Sequence, residues 1–469
     1  RLDTVTEYYG VDLSEVAVAY SKSNTWDERF SFHEVDLTKQ TPSLYENIVS
    51  LETIEHVPNP YQFMELLIEK MAPDGQLLIS IPHEISCGSH LNPYHFSNWN
   101  YKRLINFLEQ YFEEITVFPQ ERGTLEAGTF EASEIFNRTP NEDHDEFFIV
   151  ILRRPCKKKR PNIILRRSKA LGDVIWATPI LRELRHYYPC HNVLVSTERT
   201  DVFIHNTDAD LVFNLQYKFL PDDLLVNLDE TREMFRELHP LHAYAKASGI
   251  PLTLTQPTLY LTSNEFRLCA AHVLHHFKNL DTERIIAVHM TATSLDRTWS
   301  KKYWQQLISN LLQQDKKLGI VILGYGQDFS AADTGFSTNR RVLCLVRQLS
   351  LMRTAAVLSL CDLLITPNSE VLHIAAAVSV SYLGLFNTAD HTACLPFTAG
   401  SRAIRADLEC RGCLQNIAYT EAPPCPSGHP DCIERIFPEE VQAMTIRMLE
   451  AVTPGGWKTR CRMAIPNKQ

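Results

Sequence analysis

The chain places one aspartate where a proton acceptor could work. Asp173 stands in Leu171-Gly172-Asp173-Val174, shortly after the apolar run Asn162-Ile163-Ile164-Leu165. A carboxylate held there beside a cleft can take the proton from an attacking hydroxyl as a new bond to carbon forms. The structural alternative is an N-cap, which satisfies orphan backbone amides and contributes about 1 kcal/mol. Capping alone would accept Ser or Thr equally.

A second set of residues suits a nucleoside ligand. Asp12 closes the strand-like run Tyr8 to Asp12, where an acidic residue can accept hydrogen bonds from two ribose hydroxyls. Asp36, in Val35-Asp36-Leu37, could hold an adenine amino group, and Leu51 in Ser50-Leu51-Glu52 would line the crevice. Cys410, Cys413, Cys425 and Cys432 could hold zinc, but the second pair lacks the short spacing of structural sites, and free thiols explain them too.

These residues need a framework of strands and helices. Val174, Ala177, Leu181 and Leu184 recur at the spacing of one buried helix face, which predicts a helix starting near Asp173. Up to residue 152, β-type runs alternate with helix-period stretches, predicting βαβ units on a parallel sheet. Residues 153–161 carry six cations and two prolines and read as a basic linker. Such a run could touch anionic lipid headgroups or serve as a solvated hinge. Two further α/β patterns follow, over residues 162–278 and 279–453, and residues 454–469 read as a disordered tail.

The segment Ser50-Leu51-Glu52-Thr53-Ile54-Glu55-His56-Val57, the run Met71 to Pro82, and Asn92-Pro93-Tyr94-His95-Phe96 before Trp99 resemble class I S-adenosylmethionine-dependent methyltransferases, in particular the ubiquinone-biosynthesis-like branch. The resemblance covers residues 7–152 within a domain read as 1–152 and implies S-adenosylmethionine as cofactor, held by Asp12, Asp36 and Leu51. The family's first strand and glycine-rich turn are expected upstream of Arg1, so this stretch alone should bind the cofactor poorly. Glu52, Glu55, His56 and His95 also echo a metal-ligand set of some relatives, suited to Mg or Mn. A capped helix start and a loop histidine explain the same residues, and no metal is assigned.

The rear two thirds carry a further ordered set: the Leu171-Gly172-Asp173-Val174 run ending in Thr178-Pro179, Asp223 to Asp229, His242 to Ile250, Thr298-Trp299-Ser300-Lys301, and Ile365 to Ala377. In this order they resemble glycosyltransferase family 9, the heptosyltransferases of lipopolysaccharide core assembly. The resemblance implies a GT-B pair of Rossmann-like domains, an acceptor domain followed by a nucleotide-sugar domain. It also implies transfer with inversion and without a required metal, with Asp173 as base. A departing nucleoside diphosphate gathers negative charge, which a cation and helix N-terminal amides would stabilise. Arg297 is the candidate cation and Lys301 the second, although an exposed helix-start lysine also accounts for Lys301. Gly324 permits close backbone approach to the nucleotide. Asn368 and Ser369 open a helix toward the diphosphate, and His373 either contacts the ligand or packs against the alanines after it. Where the family has Asp-Ser/Thr-Gly, this chain has Asn368-Ser369-Glu370, which weakens the case for heptose in particular.

Composition bounds these readings. At 469 residues, with 44% hydrophobic and 22% charged residues, the chain fits a multidomain globular protein, and no apolar run reaches the roughly 18 residues of a membrane span. A net charge of −10 argues against nucleic acid as a partner. Twelve scattered cysteines favour the cytoplasm, with the basic run as a route to peripheral contact with the membrane's inner face. The expected function is sugar transfer from a nucleotide diphosphate donor to a surface glycan or lipid-linked acceptor. The alternative is a non-catalytic nucleotide-sugar-binding or scaffold protein.

Overall fold

The computed structural model describes residues 5–35, 44–83, 92, 94–121, 145–235, 238–292, 297–324, 334–336, 338–387, 399–408 and 432–464. The chain forms two compact units, Arg1–Lys159 and Arg160–Gln469.

In the first unit, β1 (Tyr8–Asp12) and β2 (Phe30–Glu34) pair in parallel around α1 (Glu15–Asn24). β3 (Tyr45–Leu51) is joined through α2 (Pro60–Glu69) to its parallel partner β4 (Met71–Pro82). α2 starts at residue 60 because Asn59 accepts from the Gln62 amide and Pro60 occupies the first turn, where its missing N–H is harmless. α3 (Tyr101–Leu108) then leads to β5 (Phe112–Glu121), and β6 (Asp145–Pro155) inserts antiparallel between β4 and β5. Leu77, Ile79 and Ile81 alternate along β4 and are buried, as the two-residue period of a strand requires.

Residues 153–155, read in the sequence as the start of the linker, continue β6 instead. Their cations have partners: Arg153 donates to Gln76, Arg154 pairs with Glu113 and Glu114, and Lys159 pairs with Glu65 at 2.6 Å. The partners lie 40 to 94 residues away in the chain, which a count of cations alone does not show. Among the described residues no helix is long and apolar enough to cross a membrane.

The second unit holds two parallel sheets. The first runs through β7 (Asn162–Arg166), α4 (Leu171–Tyr187), β8 (Asn192–Ser196), β9 (Leu211–Phe213) and β10 (Leu224–Asn227), with β7 flanked by β8 and β10. After α5 (Pro240–Ser248) and α6 (Ser263–Phe277) comes the second sheet. Its elements are β11 (Arg284–His289), α7 (Lys301–Gln314), β12 (Leu318–Leu323), β13 (Val342–Cys344), α8 (Leu351–Leu360), β14 (Leu363–Pro367), α9 (Glu370–Ala377), β15 (Tyr382–Phe386) and β16 (Arg402–Arg405). α10 (Pro438–Glu450) and α11 (Gly456–Ala464) follow. The spatial order β13-β12-β11-β14-β15-β16 puts a topological switch between β11 and β14, where doubly wound sheets bind ligands at their carboxyl ends. Central strands such as Ile285–Val288 are buried on both faces, hence their unbroken apolar character.

Two placements differ from the sequence reading. The expected disordered tail contains α11, whose Trp457 and Cys461, one turn apart, are fully buried. Trp457 packs edge-on against Phe277 with centroids 5.9 Å apart. Pro454, Gly455 and the interleaved cations conceal this short apolar face in the sequence. Helix α6, read as the end of the first of the two rear domains, packs against α8 and α11, and its Cys269 thiol donates to the Arg353 carbonyl. Replacing Trp457 by Ala should destabilise the chain by about 3–5 kcal/mol in denaturant unfolding. Arg462→Ala, on the exposed side of the same helix, should stay within about 0.5 kcal/mol.

Candidate active site

The turn between β7 and α4 builds the first half of the site. The helix begins at Leu171, and its N-cap is Ala170, held at φ 61° with no side-chain cap bond. Asp173 is therefore not the N-cap considered in the sequence; it lies in the helix's first turn and turns its carboxylate to Arg167. Arg167 Nη2 donates to Asp173 Oδ2 at 2.7 Å, and Nη1 to Asp229 Oδ1 at 3.0 Å. Side-chain exposures of 14% for Arg167 and 13% for Asp173 make this a partly desolvated pair, not a surface one.

Asp229, just past the end of β10, also accepts from the Ser168 amide at 2.8 Å and from its hydroxyl. Burial works to raise the Asp229 carboxyl; the bonds from Ser168 and Arg167 outweigh it and hold the group below the ordinary aspartate range. Its stabilising contribution is thus present above the unfolded pKa and lost as pH falls through the lower folded value. Burial disfavours the charged form of Arg167, and Tyr244, Asp173 and Asp229 more than compensate, raising its pKa. The Tyr244 hydroxyl donates to the Asp173 carbonyl at 3.4 Å.

The second half comes from α9. A Cβ added to Gly172 would lie 2.6 Å from His373 Cδ2, so glycine is what lets the α4 turn meet this helix. Trp176, one turn further along α4, faces the same imidazole edge-on at 5.9 Å and His239 at 4.8 Å. His373 therefore packs at the meeting of the two lobes, where it adjoins the turn that carries Asp173.

Ser369 precedes α9 at the cap position, yet its hydroxyl makes no cap bond. It bonds Thr366 Oγ1 at 2.8 Å and His289 Nδ1 at 3.0 Å, tying the helix start to the ends of β14 and β11. The Asn368 amide donates to the Leu385 carbonyl, and Glu370 is exposed. Arg297 lies between β11 and α7, half-buried, with Nε buried and without a hydrogen-bond partner among the described residues. Lys301 is the exposed first residue of α7, whose cap is Ser300. Gly324 follows β12, and its carbonyl accepts from the Arg347 amide.

In the first unit, Asp12 and Leu51 end the parallel strands β1 and β3. Asp12 Oδ1 accepts from the Ser14 amide at 2.7 Å as α1 begins, and Leu51 is 55% exposed. Asp36 lies outside the described residues, as do Cys410, Cys413 and Cys425; Cys432 is half-buried. Sequence reasoning assigned no role to Arg167, Asp229, His289 or Thr366. The carboxyl-end positions of Asp229 and Thr366 were the available signal.

Residues 236–421 match the family model for glycosyltransferase family 9 (heptosyltransferase), and residues 3–120 match that for a methyltransferase domain. This chain carries a family 9 glycosyltransferase domain and a methyltransferase domain. Arg297, Lys301, Gly324, Asn368, Ser369 and His373 fall inside the glycosyltransferase match; Asp173 precedes it. Among solved structures, a family 9 glycosyltransferase from Veillonella parvula is similar at 16% identity and TM-score 0.52, over 62% of this chain and 98% of that one. ADP-heptose lps heptosyltransferase II of E. coli aligns over 62% and 98% at 13% identity and TM-score 0.40. An Archaeoglobus fulgidus SAM-dependent methyltransferase aligns over 31% and 75% at 16% identity and TM-score 0.24. None of the curated proteins compared matches. The Veillonella likeness shows the fold, a GT-B-like arrangement of the glycosyltransferase lobes.

Gly172→Ala should cost about 1–3 kcal/mol by forcing its methyl into His373. Combined with His373→Ala, much of that loss should return as a coupling in a double-mutant cycle of unfolding free energies. Additive effects would mean that the two residues do not meet.

Proposed function

We propose that the second unit transfers a sugar, with inversion, from a nucleotide diphosphate donor to a hydroxyl of a surface glycan or lipid-linked acceptor. The carrying observation is the Asp173 carboxylate, fixed by Arg167 in a turn that packs against His373 of the other lobe. In the proposed step the acceptor oxygen bonds to the anomeric carbon from the side opposite the diphosphate. The bond from that carbon to the diphosphate oxygen breaks, and Asp173 takes the acceptor's proton. The start of α9 and Arg297 would stabilise the departing diphosphate, because Ser369 leaves the first helical amides uncapped by its side chain and Arg297 Nε has no hydrogen-bond partner among the described residues. Heptose is the donor class in the family's description; Asn368 and the exposed Glu370 are reasons to test other sugars beside it.

Asp173→Asn should lower transfer by about 10²–10⁴-fold while leaving donor binding largely intact, read by product formation across a panel of nucleotide sugars. Equal turnover in both proteins would remove Asp173 as the base. Donor binding without turnover in either would favour a binding or scaffold role.

For the first unit the proposal is methyl transfer from S-adenosylmethionine, with Asp12 accepting from the ribose hydroxyls and Leu51 lining the pocket. Their positions at the carboxyl ends of β1 and β3 support this. Calorimetry of the chain against its Asp12→Ala variant should show weaker cofactor binding in the variant. Identical isotherms would take Asp12 out of the site.

A further inference from the structure

The carboxylate proposed as the base shares its cation with a second carboxylate, Asp229, which lies 62 residues beyond Arg167 in the chain. We propose that Asp229 is a positioning residue for sugar transfer: acting through Arg167, it fixes the Asp173 carboxylate and keeps the guanidinium paired when Asp173 takes the acceptor's proton. This rests on the sugar-transfer reading and adds to it a residue that acts at one remove from the reacting atoms.

Asp229 grips the turn between β7 and α4 at three successive residues. Its carboxylate accepts from Arg167 Nη1 at 3.0 Å, from the Ser168 amide at 2.8 Å and from the Ser168 hydroxyl, and Arg166 Nε lies 3.4 Å away. The same turn is anchored to β8 and its end, since the Arg167 amide donates to the Ser196 carbonyl and the Glu198 amide to the Ser168 carbonyl. Arg167 Nε is buried with no hydrogen-bond partner among the described residues, so the two terminal nitrogens hold the fork, one on each carboxylate. Bonds at both tips fix the plane of a guanidinium, and with it the direction offered to Asp173.

The backbone on both sides of this clamp adopts a conformation that L side chains seldom enter. Ala170, between Arg167 and Asp173, has φ 61°, and Glu230, next to Asp229, has the same value. Such residues persist where surrounding contacts over-determine them. The bonds of Asp229 cross-link the two turns in which they lie.

The second carboxylate also matters while the proton moves. Once Asp173 is neutral, Arg167 loses one counter-charge, and a guanidinium only 14% exposed is costly to leave unpaired. Asp229 remains bonded to Nη1 throughout. Burial acts to raise its carboxyl, but the bonds from Ser168 and Arg167 prevail and keep it ionised in the neutral range.

The test is product formation by the full chain with the nucleotide sugar of the panel that the wild type transfers fastest. Asp229→Asn should lower kcat about 10–10²-fold and leave the donor KM within about twofold. In the Asp173→Asn background the same change should have no further effect on kcat, because the group it positions is gone. Asp229→Glu, which keeps the charge on a longer stem, should fall between Asp229→Asn and wild type, and the same comparison is made with it if Asp229→Asn fails to fold. Unchanged kcat in a folded Asp229 variant, or a loss of equal size in the Asp173→Asn background, overturns the proposal and leaves the sugar-transfer reading standing. A wild type that transfers no sugar of the panel, or undiminished turnover in Asp173→Asn, overturns both.

Discussion

One guanidinium joins three segments of the second unit. Arg167 follows β7, Asp173 belongs to α4 and Asp229 follows β10; the cation bonds both carboxylates through separate nitrogens, at 2.7 and 3.0 Å. Loss of the cation would remove one charge partner from each carboxylate; Asp229 would keep Arg166, at 3.4 Å, and its bonds from Ser168. The forked geometry of arginine suits this bridge, whereas the point charge of lysine could not offer two fixed N–H directions. The direction of Asp173 therefore depends on Arg167, six residues before it, and through that cation on Asp229 at a strand end far along the chain.

The opposing lobe uses hydrogen bonding to the same end. Ser369 could have capped α9, but its hydroxyl turns inward to Thr366 and His289 at the switch between β14 and β11. A buried network of this kind fixes the strand ends and leaves the helix start to meet something other than its own cap. The two halves approach closely because position 172 has no side chain, which allows the His373 ring to rest against the α4 turn. Charge fixed in one lobe and helix amides left without a side-chain cap in the other would suit a group transfer that creates an anion.

The methyltransferase domain repeats the principle at smaller scale. Its proposed cofactor residues again lie where parallel strands end, with Asp12 closing β1 and Leu51 closing β3. The antiparallel addition of β5 and β6 extends the sheet on the far side of β4 and supplies core residues such as Phe148 and Val150.

Much of the framework was legible in the amino-acid order, because strand and helix periods are local. The runs at Phe30, Gln76, Asn162 and Arg284 became strands, and Val174, Ala177, Leu181 and Leu184 became a buried helical stripe. The order of motifs also sufficed to indicate both enzyme domains. Local pattern could not reveal that Arg167 bridges Asp173 to Asp229, since the partners are 62 residues apart and meet only once β7 and β10 pair. Nor could it show that Trp457 would find Phe277. Sequence determines which side chains are available and the period on which they repeat; which of them share a charge, a proton or an ion is decided by distance, and distance is set by tertiary packing.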